Sequence, residues 1–318
     1  MKQRFPSFLG HLGIAILGLA GLQARAAAPE TAGPPIPHRI NPGHMTSEAP
    51  TAGSTGSMTP VIKWNGGPVL TTPNVHLIWY GNWNQANGSD TPAGQSIVGD
   101  FIHGVSGSPY LAINSLYTGS GGTAVTGSLG TTFQGSDAYS RGSKLRDSDI
   151  ATIVSTYITR SGIKDPNAVY FVLTSSDVSE TSGFCTKYCG WHTSGTIQGV
   201  NIKYSFVGNA NRCLSGCAAQ SVGPNGNAGV DGMISVVAHE LEETMTDPNP
   251  RTGWADSNGA ENGDKCAWTF GQSLSVAPNG AYYNMTLPGL SVASRNYLVQ
   301  RNLDIYSLCY VNYLTKTQ

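Results

Sequence analysis

Six cysteines constrain the fold of this 318-residue chain more than any other feature, because they predict cross-links in an oxidising compartment. Four of them form two CxxxC motifs and the last two lie far apart: Cys185, Cys189, Cys213, Cys217, Cys266 and Cys309. An even number in paired positions predicts three disulfides. Other pairings are open, but we favour Cys185–Cys189, Cys213–Cys217 and Cys266–Cys309. A four-cysteine zinc site is the alternative, although such sites usually have CxxC spacing and export disfavours free thiolates.

The N-terminus has the pattern of a cleavable secretory signal peptide. Lys2 and Arg4 precede an apolar run, and an A-x-A motif ends at Ala26. The run is too short to span a bilayer as a helix. We therefore predict a signal peptide over residues 1–26 and an extracellular protein, with the periplasm as the other destination and no membrane association after cleavage. A buried N-terminal helix is the alternative.

Residues 27–60 differ in composition from the rest of the chain. They are rich in Pro, Gly, Ser and Thr and show almost no apolar periodicity, which predicts a disordered linker or propeptide. The folded domain then covers residues 61–318. Only 12% of all residues are charged and the net charge is −1, so the basic surface needed to bind nucleic acid is missing.

Within the domain, buried strands and amphipathic helices alternate. The interleaved pattern, without a Gly-rich phosphate loop, predicts a single α+β domain with a mixed sheet, stapled by disulfides. The predicted strands are 74–81 and 167–176, the predicted helices are 94–105 and 148–162 with Ser148 as cap, and 117–137 is predicted as a hairpin or loops.

The stretch SVVAHELEETMTDP, residues 235–248, resembles the zinc-protease motif HExxH with Glu243 in place of the second His. On a helix, His239 and Glu243 lie about 40° apart, so one cation can contact both. Glu240 lies about 100° from His239, the offset used for a general base beside the metal. A surface helix with an acidic face fits equally well. The opposite side carries an apolar stripe: Val237, Ala238, Leu241 and Met245.

Acidic residues are concentrated in and after this helix. Few Lys or Arg residues are nearby in sequence, so the carboxylates would repel one another unless a cation is bound. In the following loop, Asp256, Glu261 and Asp264 have the spacing of oxygen ligands. The loop predicts either a third ligand for the helix site or a separate Ca²⁺ site over residues 256–264, although it matches an EF-hand poorly. The seven acidic residues are Glu240, Glu242, Glu243, Asp247, Asp256, Glu261 and Asp264.

Six blocks of sequence taken together resemble the phosphate-induced protein 1 or EXORDIUM family of secreted proteins. The likeness extends from about Lys63 to Asn312, and the two CxxxC motifs with CGWH are its specific part. The blocks are LIWYGNW, VYFVLTSSDV, GFCTKYCGWH, YSFVGNANRCLSGCA, AHELEETMTDPNPRTGW and ENGDKCAWTFG.

The resemblance implies a metal-dependent hydrolase for members that carry an AHE helix and a downstream acidic element. The matching residues here are His239, Glu240 and Glu243 in the first element and Glu261, Asp264 and Cys266 in the second. One His with several carboxylates forms a more oxygen-rich site than HExxH, so Ca²⁺ or Mn²⁺ compete with Zn²⁺ as the metal. His192 of CGWH is predicted as an additional ligand or as a catalytic proton donor that stabilises an oxyanion. A structural His beside Trp191 is the alternative.

Two functions follow from these patterns. The first is a secreted zinc-dependent metallopeptidase with a zincin-like helix, acting on extracellular protein or peptide. Its metal would be held by His239, Glu243 and either Glu261 or Asp264, and Glu240 would activate water. The second is a noncatalytic module that binds cell-wall glycan or a protein, with a structural cation. In that module, exposed aromatic side chains would stack on sugars, and the candidates are Trp79, Trp83 and Trp254.

Overall fold

The computed structural model describes residues 36–39 and 61–315. The predicted signal peptide and the rest of the predicted linker lie outside the described residues. In chain order the strands are β1 (Ile36–Arg39), β2 (Lys63–Trp64), β3 (Asn74–Tyr80), β4 (Thr132–Asp137), β5 (Lys144–Leu145), β6 (Ala168–Thr174), β7 (Ser179–Glu180), β8 (Tyr188–Ile197), β9 (Val200–Gly208), β10 (Trp254–Ala255), β11 (Ser275–Val276), β12 (Tyr282–Tyr283), β13 (Met285–Pro288), β14 (Ser294–Tyr297), β15 (Asn302–Leu303) and β16 (Cys309–Tyr310). The α-helices are α1 (Pro92–Val105), α2 (Asp147–Ser161), α3 (Leu214–Cys217), α4 (Ala228–Thr246) and α5 (Asn262–Lys265).

A six-stranded mixed sheet forms the centre of the fold, in the order β1-β8-β9-β6-β3-β4. Strands β9, β6, β3 and β4 run parallel to one another, whereas β8 pairs antiparallel with β9 and β1 pairs antiparallel with β8. Every residue of β6 is buried, as its continuous apolar run predicts for a central parallel strand. The prediction of an α+β domain with a mixed sheet is confirmed.

The Gly- and Thr-rich segment differs from its prediction. Its last six residues form β4, which pairs in parallel with β3 at one edge of the sheet. The strand lacks a regular apolar alternation, and Gly135 has no side chain where the ring of Tyr157 packs. A Cβ at Gly135 would lie 2.6 Å from Cε2 of Tyr157. The predicted Ser148 cap is also wrong, since α2 begins at Asp147 and Asp149 accepts a hydrogen bond from the Arg146 N–H.

Helix α4 is the longest helix of the described residues and packs against β8, β9, α1 and α5. Asn227 caps it by accepting a hydrogen bond from the Val230 N–H, and it ends before Asp247, as Pro248 predicts. All residues from Gly229 to Thr246 are buried, including those on its acidic side. The alternative of a solvent-exposed acidic face is therefore wrong. Among the described residues, no helix combines the length and apolarity needed to cross a membrane.

Three disulfides are present, but two of the favoured pairings are wrong. The bridges are Cys185–Cys213, Cys189–Cys217 and Cys266–Cys309. The second CxxxC motif forms the single turn of α3, so its two cysteines face the same neighbouring segment at the start of β8. Each CxxxC motif thus bonds to the other, and the two bridges join segments 28 residues apart. The distant pair is confirmed and fixes the chain after α5 to β16.

Candidate metal centre

Helix α4 supplies three side chains of a buried polar cluster. His239 and Glu243 are one turn apart, and Nε2 of His239 lies 3.0 Å from Oε1 of Glu243. Glu240, next to His239 in sequence, points toward β8. All three side chains are completely buried. The helical geometry expected from the HELEE spacing therefore occurs, but inside the protein.

Strand β8 brings a second imidazole to the cluster. Nδ1 of His192 lies 3.2 Å from Oε2 of Glu240 and 3.4 Å from Oε2 of Glu243. The close approach of strand and helix depends on Gly190, where a Cβ would lie only 2.6 Å from Cγ1 of Val236. The strand thus places His192 directly beside the predicted general base.

The loop after α4 returns to the cluster through the short helix α5. Oε2 of Glu261 lies 3.3 Å from Nε2 of His192, and Oδ1 of Asp264 lies 3.8 Å from Nε2 of His239. The backbone N–H of Asp264 donates to Oε1 of Glu243 at 2.9 Å. All six predicted catalytic and metal-binding residues are therefore brought together, and of these only Asp264 has an exposed fraction, 21% of its side chain.

Two overlapping groups of these side chains have donor atoms within 4.8 Å of one another. One contains His192, Glu243 and Glu261, and the other contains His239, Glu240 and Glu243. Glu243 belongs to both. A cation bound to Glu243 would therefore lie near side chains from α4, from β8 and from the loop before α5.

When fully ionised, the carboxylates of the cluster carry more negative charge than its histidines can balance. Four carboxylates face two imidazoles, so even two protonated imidazoles leave two negative charges uncompensated when all four carboxylates are ionised. Within residues 61–315, the ion pairs of these carboxylates come from the two histidines, while Lys265 pairs with Asp256 at 2.5 Å. A divalent cation would balance this deficit.

Burial and the neighbouring charges shift the pKa values of these side chains. Burial raises the pKa of Glu240 to about 7 and that of Asp264 to about 6. Burial also holds the pKa of Glu261 well above its usual range, and the Glu243 charge adds to this effect. Burial alone would lower the pKa of His192, but the neighbouring carboxylates of Glu240 and Glu243 raise it to about 10. In the absence of a cation, the raised pKa values of Glu240, Glu261 and Asp264 shift these carboxylates toward their protonated forms.

Several buried oxygens of the cluster make no hydrogen bond in the described part of the chain: Oε1 of Glu240, Oε2 of Glu243 and both carboxylate oxygens of Glu261. Buried polar atoms in native proteins are nearly always hydrogen-bonded. The carboxylates that carry these oxygens belong to the two overlapping groups that share Glu243, so a bound cation would supply the missing partner.

Gln300 and Glu242 belong to the surroundings of the cluster and were not assigned roles from the sequence. The Gln300 amide lies 2.8 Å from Nδ1 of His239 and also donates to the Gly263 carbonyl at 3.1 Å. Buried Glu242 lies 3.5 Å from the same amide nitrogen. Gln300 is 61 residues from His239 in a segment without periodic pattern, so no signal in the sequence pointed to this contact.

Asp256, from the predicted calcium loop, lies apart from both groups. Its carboxylate accepts hydrogen bonds from the N–H groups of Asn258 and Ala260 at 2.7 and 2.9 Å and pairs with Lys265. The predicted sugar-stacking role fails for Trp79 and Trp83, which are 3% and 6% exposed, because both pack into the core.

Comparison with known proteins identifies the family. The family described as "Phosphate-induced protein 1 conserved region" matches residues 62–305. Protein EXORDIUM-like 3 of Arabidopsis thaliana is 28% identical over 305 residues, which cover 84% of this chain and 87% of that protein. Protein EXORDIUM-like 5 of the same plant is 29% identical over 243 residues, covering 66% and 65%. Protein PHOSPHATE-INDUCED 1 of Nicotiana tabacum is 32% identical over 207 residues, covering 55% and 61%.

No solved structure gives a significant match. The family match spans most of the folded domain, including both CxxxC motifs, α4 and α5. The resemblance inferred from the sequence blocks is confirmed, and the chain belongs to the phosphate-induced protein 1 family.

Proposed function

We propose that this protein is a secreted metal-dependent peptidase whose α4 acts as a zincin-like active-site helix. The observation that carries the proposal is the convergence of buried carboxylate oxygens without hydrogen-bond partners around two imidazoles. Secretion is supported by the signal-peptide pattern of residues 1–26 and by three disulfides.

His239, Glu243 and either Glu261 or Asp264 would hold the cation. Zn²⁺ fits this set best because it accepts imidazole nitrogen and carboxylate oxygen together, whereas Ca²⁺ prefers oxygen alone. A neutral His239 that binds through Nε2 carries its proton on Nδ1. Rotation of the Gln300 amide would bring its oxygen, which has no hydrogen-bond partner within the described residues, onto that N–H.

Glu240 would act as the general base. A divalent cation supplies Lewis-acid activation of water and of a carbonyl group when bound. The free Oε1 of Glu240 lies beside the ligand His239 and so can take the proton from water and later return it to the leaving amine. His192, 3.2 Å from Glu240, orients this carboxylate and can donate a hydrogen bond to a developing oxyanion.

A structural cation site in a noncatalytic module is the second candidate, and the burial of the cluster favours it. Five of the six side chains have no exposed surface. An active site needs a route for its substrate, whereas a structural site needs none. The two candidates share the metal and differ in the role of Glu240.

Two substitutions separate these candidates when metal content and hydrolysis of labelled casein are measured on protein purified from an exporting host. His239→Ala should lose the metal. Glu240→Gln should keep the metal and lose hydrolysis by several orders of magnitude. Asp256→Asn, which alters an acidic residue of the same loop outside the cluster, is the matched control and should change neither property.

Absence of metal from the wild-type protein would refute both candidates. Bound metal without hydrolysis of any peptide substrate would support the structural cation site. Hydrolysis that survives Glu240→Gln would refute the assigned base.

A further inference from the structure

Strand β1 joins the sheet from a part of the chain that precedes the folded domain. Ile36–Arg39 pairs antiparallel with β8, with Ile36 opposite His192 and His38 opposite Gly190. β1 is the last strand of the described sheet on this side. Without β1, the strand that carries His192 would be the edge of the sheet, with unpaired N–H and C=O groups.

The part of β8 that β1 covers is the part that borders the metal centre. It comprises residues 188–192, which we call the β8 strip. Nδ1 of His192 contacts Glu240, and a Cβ on Gly190 would lie 3.2 Å from Oε1 of Glu240. Strand β1 also approaches α4. Any chain paired with this strip therefore runs past the proposed general base.

The β1 ladder is short and imperfect. It has four residues, it includes Pro37, which has no N–H to donate, and its register shifts between His38 and Arg39. Pairing along a sheet edge uses mainly backbone groups, so an extended peptide of different sequence can form the same ladder. The strip is thus suited to exchange one extended segment for another.

We infer that the β8 strip binds an extended polypeptide antiparallel to β8, and that residues 36–39 occupy this strip as an internal competitor. The inference rests on the proposed peptidase function, for which it names the substrate class: polypeptide in strand conformation, bound through its backbone. Removal or displacement of residues 36–39 would then open the strip to substrate.

The test uses the mature chain from Ala27 with the triple substitution Ile36→Pro, His38→Pro and Arg39→Pro. Together with Pro37, this leaves no N–H donor in β1 and weakens its pairing whichever residues donate. The matched control places three prolines at residues 51–53. Amide hydrogen exchange of residues 188–192, metal content and casein hydrolysis are measured for each protein. A synthetic peptide of residues 33–42 is then added in trans.

The triple variant should show about tenfold faster exchange in the β8 strip, several-fold faster hydrolysis and unchanged metal content. The added peptide should restore slow exchange and inhibit hydrolysis. Unchanged exchange in the strip overturns the inference whatever the catalytic result. Faster exchange without faster hydrolysis, in a protein whose wild type does hydrolyse casein, overturns the competitor role. Faster exchange with metal but no hydrolysis by any variant leaves the strip as a peptide-binding edge and refutes the peptidase proposal instead.

Discussion

Gly263→Ala tests the packing of the candidate metal centre without removing any proposed ligand. A Cβ at this position would lie 2.9 Å from Nδ1 and 3.1 Å from Cε1 of His239, and 3.0 Å from Oε1 of Glu243. Ordinary contacts of a methyl group are about 3.4 Å or longer, and neither neighbour has exposed space into which it can move. Overpacking of this kind costs roughly 1 to 3 kcal/mol of unfolding free energy.

Displacement of His239 and Glu243, two proposed ligands, should also weaken binding of the proposed metal. Disturbing the groups that orient ligands typically reduces metal affinity by about 10- to 100-fold, and we expect a loss in this range. Gly99→Ala in α1 is the matched control, because its nearest neighbour is Nε2 of Gln134 at an ordinary 3.7 Å. That substitution should stabilise the protein by about 0.5 to 1 kcal/mol through helix propensity.

The assay combines urea unfolding with competition for metal against a chelator. A Gly263→Ala protein with wild-type stability and wild-type metal affinity would refute the close packing of α5 against α4. A protein that is destabilised but binds metal normally would show that His239 and Glu243 are not the ligands.

Two further predictions concern the stability of the domain. The bridges Cys185–Cys213 and Cys189–Cys217 each close a loop of 28 residues, worth roughly 3 to 4 kcal/mol for a solitary bridge. Because the two loops nearly coincide, each bridge adds less when the other is present. Replacing one pair by Ala should lower the free energy of unfolding by about 2.5 kcal/mol, and replacing both pairs should lower it by more than twice as much, as measured by urea unfolding. Peptide mapping that joins Cys185 to Cys189 would contradict the pairing. Burial lowers the pKa of His76 to about 4, so its neutral form contributes stability that is complete above the unfolded value of 6.5 and is lost as pH falls toward 4. In His76→Phe, the free energy of unfolding should fall less steeply between pH 6.5 and pH 4, by at most about 3 kcal/mol over this range. An unchanged pH dependence of unfolding would contradict the lowered pKa of His76.

The central strands and helices were predictable because their own residues specify them. The apolar runs of β3 and β6 predict buried strands whatever their neighbours in the sheet are. Pro248 ends α4 for a local steric reason. Strand β4 was not predictable, since its Gly and Thr residues become a strand only by pairing with β3. The cysteine pairing failed for a similar reason: local spacing does not show which two segments lie side by side.

The candidate site divides in the same way. Helical periodicity was enough to put His239 and Glu243 together and Glu240 beside them, because these residues belong to one element. The sequence also marked Glu261 through acidic crowding. It could not show that His192 stands between three carboxylates, nor that Gln300 meets His239, because both contacts depend on how distant segments pack.

The burial of the cluster limits which part of the protein can admit a substrate. Helix α4 and strand β9 are core elements, and the chain after α5 is held by Cys266–Cys309. Gln300 is also fixed, because its N–H donates to the Ser235 hydroxyl at 3.1 Å. By contrast, β1 is held to the described sheet by one four-residue antiparallel ladder that contains a proline. Within the described sheet, displacing β1 breaks this one ladder, which is formed by backbone groups next to His192. The occupancy of this one strand would therefore determine whether the metal centre remains closed, as a structural site requires, or becomes open to a polypeptide.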